Sequence, residues 1–363
     1  MAKLLSVCMI VKNEEENLLK TLPSVMAGAD EVIVVDTGST DRTKEIIREA
    51  GAGLYEFPWT NDFSAARNES LKHAAGQYIL WLDADEYVTP REFQKLREFL
   101  RDGPADLIFG RIWECQKGET KSDVFYKRDK IFRNGRGFHF VRPVNEELNT
   151  AEQATRKEID FNIYHWGGLA ALDEKKKAQK LERSVTMFEQ ALAKKPDDPQ
   201  FAYLLANTYF RKNLFQPAAE TYQQAIQFLP EGEIMTKARC QLARCFILLQ
   251  QTGQAMKVAA DACLRDPFDP EPRVVKATLL LAADQPLEAV EILKPIANFP
   301  LKGGNCAPLN VRLYDYYPYY LLGMAWLKLG NKEQALDNFR QAYKAQPDQK
   351  VLSVINILEK KND

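Results

Sequence analysis

The chain runs to 363 residues, long enough for two domains, and its 45% hydrophobic and 27% charged content is that of an ordinary water-soluble globular protein. A formal net charge of −1 provides no basic field for a nucleic acid, so no nucleic-acid partner is expected. The only apolar run near the N-terminus, Val7–Val11, is too short for a signal peptide, and no later run reaches the roughly 18 apolar residues of a membrane span. A cytoplasmic protein with no transmembrane segment is expected. Cys8, Cys115, Cys240, Cys245, Cys263 and Cys306 lack the close spacing of a zinc ribbon or redox dithiol and are expected as free thiols, with Cys240 and Cys245 as small core residues.

In chain order, Leu4–Val11 reads as a strand and Glu15–Ala27 as an amphipathic helix. Glu31–Val35 is a strand of β-branched residues, followed by a helix over Ser39–Ala50 with a hydroxyl and Asp41 at its start. Leu54–Phe57 is a short strand, Ser64–Ala75 a helix and Tyr78–Leu82 a buried strand. Continuous apolar strands alternating with helices predict a parallel sheet covered on both faces. Ligands of such sheets bind beyond the carboxyl ends of the strands, so the polar residues there carry the functional information.

From about Gly168 the strand patterns stop and a repeat begins. Ser184, Ala218, Ala255, Ala289 and Ala335 are equivalent, at separations of 34, 37, 34 and 46 residues. Seven residues after each stands Ala191, Ala225, Ala262, Ile296 or Ala342, and twelve after four of them stands Pro196, Pro230, Pro267 or Pro347. Twelve residues before the last four stands Ala206, Ala243, Ala277 or Gly323, followed three later by Tyr209, Phe246, Leu280 or Trp326. Small residues let paired helices approach and the large one fills the groove beside them, which is the tetratricopeptide (TPR) period. The long interval implies an insertion from Asn298 to Tyr317. Such an array serves as a scaffold that can also form a homodimer, or as a groove for a peptide or protein.

Asp36 ends the second strand and opens Thr37-Gly38-Ser39-Thr40-Asp41. A carboxylate there can accept a uracil imide N–H, with the glycine and hydroxyl turn against a ribose; the same pattern also makes a capped turn with no ligand. Asp83-Ala84-Asp85 ends the strand Tyr78–Leu82. Alternate residues of an extended segment point the same way, so both carboxylates can reach one site, where magnesium or manganese would take oxygen ligands beside a diphosphate. Arg67, in Ala65-Ala66-Arg67-Asn68, suits phosphate or sits on a helix surface. His165, in Tyr164-His165-Trp166-Gly167-Gly168, is a core histidine or completes the metal's coordination beside Asp85.

Four segments, Ser6-Val7-Cys8-Met9-Ile10-Val11-Lys12-Asn13-Glu14, Val34-Val35-Asp36-Thr37-Gly38-Ser39-Thr40-Asp41, Phe63-Ser64-Ala65-Ala66-Arg67-Asn68 and Leu82-Asp83-Ala84-Asp85-Glu86, in that order and spacing, resemble glycosyltransferase family 2 with the GT-A fold. The resemblance implies an α/β GT-A domain over residues 1–168, followed by an all-α TPR domain over 169–363. It implies a nucleotide-diphosphate sugar donor, usually a uridine one, bound Mn2+ or Mg2+, and inversion at the anomeric carbon. Nucleotide-sugar binding falls to Val11, Asn13, Glu14, Asp36, Gly38, Ser39, Arg67, Asp83 and Ala84, with Asp36 at the base, Arg67 facing the nucleotide and Asp83 near the ribose or metal. Asp85 and His165 fall to the metal.

Residues 131–168 look like the continuation found in the branch that carries TPR repeats, where an Ile-Phe-Arg-Asn-like strand leads to a His-Glu pair and then a His-aromatic-Gly segment. Ile131-Phe132-Arg133-Asn134 and His165-Trp166-Gly167 fit, but Asn145-Glu146 stands where the His-Glu pair would. Inverting transfer needs a base to deprotonate the acceptor, and Glu146 is the candidate, ahead of Glu147 and His139. The branch is similar, at the level of architecture, to bacterial transferases that glycosylate bacteriocin peptides on cysteine or serine. The expected acceptor is a peptide, protein or glycan. Polysaccharide synthases of the family carry membrane helices and a Gln-x-x-Arg-Trp motif, both lacking here. A nucleotidyltransferase would need a basic, glycine-rich loop where Lys12-Asn13-Glu14-Glu15-Glu16 stands. The competing reading is a TPR adaptor with a degenerate nucleotide-sugar domain.

Overall fold

A computed structural model describes residues 2–103, 105–150, 152–168, 173–299 and 309–360. It divides into two compact units, Met1–Glu174 and Lys175–Asp363. Residues 300–308 of the expected insertion, Cys306 among them, lie outside the described residues.

The first unit is built on strands β1 (Leu5–Val11), β2 (Glu31–Asp36), β3 (Gly53–Glu56), β4 (Tyr78–Asp83), β5 (Glu86–Tyr87), β6 (Leu107–Glu114), β7 (Val124–Arg133) and β10 (Arg156–His165), in the spatial order β3-β2-β1-β4-β7-β6-β10-β5. A separate hairpin pairs β8 (His139–Val141) with β9 (Glu147–Asn149). The first four strands in that order are parallel, as their apolar runs predict. Beyond them the expectation of a wholly parallel sheet fails, because β7 runs antiparallel to both β4 and β6. β7 carries polar residues through its length, unlike a parallel strand buried on both faces.

Alternation along the strands sends Val7, Met9, Val34, Leu80 and Leu82 to one face. There they meet helices α1 (Glu15–Gly28), α2 (Thr43–Glu49) and α4 (Pro90–Arg101). Cys8, Ile33, Ile79 and Trp81 take the other face, with Phe132, Phe140 and Leu71 of helix α3 (Phe63–Lys72). α2 starts at Thr43 rather than Ser39: the Ser39 hydroxyl accepts the Asn13 N–H, while Asp41 accepts the Glu15 N–H through Oδ2 and the Thr43 N–H at the helix start through Oδ1. α3 starts one residue before expectation, where the Asp62 carboxylate accepts the Ala65 N–H at 3.0 Å.

The second unit is helical. Pairs α6 (Pro199–Arg211) with α7 (Phe215–Phe228), α8 (Glu233–Leu248) with α9 (Thr252–Arg265), α10 (Pro270–Ala282) with α11 (Pro286–Leu293), and α13 (Tyr317–Lys328) with α14 (Lys332–Ala345) repeat one packing arrangement. The preceding α5 (Glu174–Lys194), the short α12 (Arg312–Asp315) and the last α15 (Gln349–Lys360) complete it. The repeat positions Ala206, Ala218, Ala243, Ala255, Ala277, Ala289 and Ala335 are fully buried, and so are Cys240 and Cys245. Asp198 and Asp269 cap α6 and α10 ahead of a first-turn proline, which explains the turn composition of the repeats. The five described cysteines are free thiols. No described helix is long and apolar enough to cross a membrane.

At Gly323 of α13 an added Cβ would lie 2.8 Å from the ring of Phe339 on α14, which is itself fully buried. Gly323→Ala should therefore destabilise the helical unit by about 1–3 kcal/mol through overpacking. Circular dichroism during urea unfolding checks this, and an unchanged midpoint would contradict the packing described.

Candidate active site

The carboxyl edge of the sheet gathers the polar residues. Val11 pairs with Asp36 and Ile10 with Asp83, so the two aspartates flank the end of β1 where strand order reverses. Asp36 is 1% exposed. Its Oδ2 accepts the N–H groups of Gly38 at 3.0 Å and Ser39 at 2.9 Å, while Oδ1 is buried with no hydrogen-bond partner among the described residues. Gly38 sits at φ +106°, a conformation that suits glycine, and lets the turn fold back on the carboxylate.

The turn is tied to the loop after β1. The Val11 carbonyl accepts from the Thr37 N–H and hydroxyl, the Asn13 N–H donates to the Ser39 hydroxyl, and the Thr40 N–H donates to Asn13 Oδ1. The Glu14 N–H donates to the Thr43 hydroxyl at 2.8 Å. Val11, Asn13, Glu14, Asp36, Gly38 and Ser39 thus form one rigid lip. The Ala84 carbonyl is held from below by the Thr21 hydroxyl at 3.0 Å.

Arg67 is only 4% exposed. Its Nη2 donates to Asp83 Oδ1 at 2.6 Å and its Nε to Glu146 Oε1 at 2.7 Å, and its guanidinium lies 4.3 Å from the Trp81 ring. Burial alone would raise the pKa of Asp83, but Arg67 and Lys130 outweigh it and hold this carboxyl well below the usual range. The rest of α3 brings Glu146 within reach. Asn68 exchanges two hydrogen bonds with the backbone of Phe140, the Ser64 hydroxyl donates to the Arg142 carbonyl, and the Phe63 N–H donates to the Pro143 carbonyl. Asn145, just before Glu146, sits at φ +52°, a left-handed conformation in which asparagine is enriched. Glu147 and His139 are exposed on the β8–β9 hairpin, away from this pairing.

Beneath Asp83, Glu86 Oε2 accepts the Asp83 N–H at 2.9 Å and the Lys130 ammonium at 2.7 Å. Both side chains of the Lys130–Glu86 pair are almost wholly buried. Burial raises the pKa of Glu86 and lowers that of Lys130.

The extended path assumed for Asp83-Ala84-Asp85 is not followed. β4 ends at Asp83 and the chain turns through Ala84 and Asp85, so the two carboxylates take different partners. Asp83 meets Arg67; Asp85 Oδ2 lies 3.5 Å from His165 Nε2. His165 Nδ1 is 3.0 Å from Glu114 Oε1. Burial would lower the His165 pKa, but the two carboxylates outweigh it and raise it well above the ordinary value. The two glycines after this histidine are steric requirements. A Cβ on Gly167 would fall 1.5 Å from Asp85 Oδ2, and one on Gly168 would fall 2.6 Å from Glu114 Oε2.

Sequence reasoning missed Glu114, Arg128 and Lys130, which sit inside strands with no local motif around them. Among the described residues no group of three or more His, Cys, Asp or Glu gathers as a metal cluster.

Residues 6–159 match the model for glycosyl transferase family 2, and residues 169–233 and 316–349 match tetratricopeptide repeat models. The N-terminal unit belongs to glycosyltransferase family 2. A TPR repeat-containing protein of Synechococcus elongatus is 33% identical over 279 residues, covering 73% of this chain and 66% of that protein. The SPbeta prophage-derived glycosyltransferase SunS of Bacillus subtilis is 27% identical over 207 residues, covering 53% of this chain and 46% of SunS. The chain thus spans between about half and two thirds of the length of these curated relatives. The crystal structure of residues 1–349 of S. aureus TarS is 18% identical, with a TM-score of 0.40 and coverage of 77% of this chain and 92% of that one.

Removing the Arg67 cation takes from Asp83 and Glu146 the ion-pair partner they share. Arg67→Met should destabilise the first unit by roughly 3 kcal/mol, the cost of breaking a buried ionic group by removing one partner. A lowered urea midpoint of tryptophan fluorescence checks it; an unchanged midpoint would mean the ion pairs contribute nothing.

Proposed function

We propose that this protein is an inverting, divalent-cation-dependent glycosyltransferase that moves a sugar from a nucleotide-diphosphate donor, with uridine as the base, to a peptide, protein or glycan acceptor. The observation that carries this reading is the buried Asp36 Oδ1, which has no partner among the described residues and sits beside the end of β1. An orphaned buried acceptor carries a desolvation cost that a ligand donor removes. The imide N–H of uracil is such a donor, and the Gly38–Ser39 turn lies next to it for the ribose.

Asp85 and His165 fit a hard divalent cation such as Mn2+ or Mg2+. They offer one oxygen and one nitrogen facing each other, and Glu114 fixes the imidazole through its other nitrogen. Two protein ligands suffice for an ion that shares the donor's phosphate oxygens, and its chemistry is to neutralise the leaving diphosphate. Asp83, pinned by Arg67 and by the Glu86 bond to its N–H, stays ionised at the ribose side. Glu146, oriented through Oε1 by Arg67, takes the acceptor's proton as the nucleophile attacks the face opposite the leaving group. The repeats supply an interaction surface for a protein acceptor or a second copy.

The test is release of free nucleoside diphosphate from a panel of nucleotide sugars with Mn2+. Turnover of one uridine donor is expected, and Asp85→Ala should reduce it to background while the unfolding midpoint stays unchanged. Full activity in a folded Asp85→Ala protein would end the cation assignment. Asp36→Asn offers the uracil a mixed donor and acceptor in place of the carboxylate and should weaken uridine diphosphate binding about tenfold or more. Equal affinity in calorimetry would remove Asp36 from base recognition.

A further inference from the structure

Arg67 and Arg128 both stack on Trp81, at 4.3 Å and 4.9 Å from its ring, but they are not equivalent cations. Arg67 is buried and spans two carboxylates. The third cation on the same indole, Lys130, is bonded to Glu86. Arg128 is half-buried, donates from Nη2 to the Glu146 carbonyl at 2.6 Å, and forms no ion pair with any described residue. Its place is set by β7. β7 pairs antiparallel with β4 as far as Leu80 opposite Ile131; beyond a register shift in its pairing with β6, Arg128 reaches the Trp81 ring and the Glu146 carbonyl, beside the Arg67 that binds Asp83. A guanidinium held there by a ring and a single carbonyl, and bonded to no carboxylate among the described residues, keeps donors of its planar fork for a further acceptor.

We propose that Arg128 is the cation that binds the diphosphate of the donor, the part that sequence reasoning gave to Arg67. Arg67 is a positioning residue, its charge already spent on Asp83 and Glu146. The inference rests on reading the site as a nucleotide-sugar site. A diphosphate beside Asp83 needs positive charge on the side of β4 away from the lip around Asp36, and Arg128 supplies it from the neighbouring strand.

The test compares full-length wild-type protein with Arg128→Gln and Arg128→Lys. Uridine diphosphate is titrated by calorimetry in Mn2+, and uridine, which lacks the diphosphate, by saturation-transfer NMR. Loss of the charged donor should weaken uridine diphosphate about tenfold or more in Arg128→Gln while uridine binding stays as in wild type. Arg128→Lys keeps the charge but not the fork and should fall between the two. If Arg128→Gln does not fold, the lysine variant carries the test through the same split between the two ligands. Unchanged uridine diphosphate affinity, or equal weakening of both ligands, overturns the proposal and leaves the nucleotide-sugar reading intact. Wild-type protein that binds neither ligand overturns that reading and this inference together.

Discussion

A guanidinium with only 4% exposure must be neutralised where it lies, and the first unit is arranged around that requirement at Arg67. Its two counter-charges come from distant parts of the chain, Asp83 at the end of β4 and Glu146 in the segment between β8 and β9. Because an unpaired buried charge costs several kcal/mol, the helix, the strand and the hairpin are held in one mutual position. Trp81 and Phe140 close over the cation with their ring faces, at 4.3 and 5.7 Å. What the pairing achieves chemically is orientation. Two carboxylates that would otherwise have several rotamers each are fixed at the carboxyl edge of the sheet.

The sheet around β1, β2 and β4 was legible because strands buried on both faces write themselves as unbroken apolar runs, and a carboxylate that ends such a run stands out. Asp36, Asp83 and Asp85 were visible for that reason. Their partners were not. Arg128 and Lys130 sit in a strand whose polar residues show no recurring spacing, and Glu114 lies 51 residues from the histidine it orients. Contacts of that kind are made by strand register, and register across β6 and β7 cannot be read from composition. The turn at Ala84–Asp85 was missed for a related reason. Extended geometry was carried past the end of the strand, where a two-residue link into β5 requires the chain to bend. Asn68 carried no readable signal either; its pairing with the Phe140 backbone exists only once α3 and β8 are adjacent.

The helical unit was legible for a different reason. Each repeat solves the same packing problem, so one rule recurs at a fixed interval, and the small residues at the helix contacts are buried. Gly323, which stands where Ala206, Ala243 and Ala277 stand in the other repeats, departs because Phe339 occupies the space a methyl would need. Local composition cannot give that partner, but the repeat frame gave its position.

The charges at the carboxyl edge fall into two groups with different balances. Around Trp81, the cations Arg67, Arg128 and Lys130 stand against Asp83, Glu86 and Glu146, so the group is formally neutral. The second group sets Asp85 and Glu114 against His165, whose affinity for a proton is raised because two carboxylates face it. A nucleotide diphosphate entering a neutral pocket needs more positive charge than the first group holds once Arg67 and Lys130 are spent on their own partners. Arg128 can provide part of it. In the second group Gly167 is what lets the Asp85 carboxylate lie 3.5 Å from His165 Nε2, since a Cβ there would fall 1.5 Å from Asp85 Oδ2.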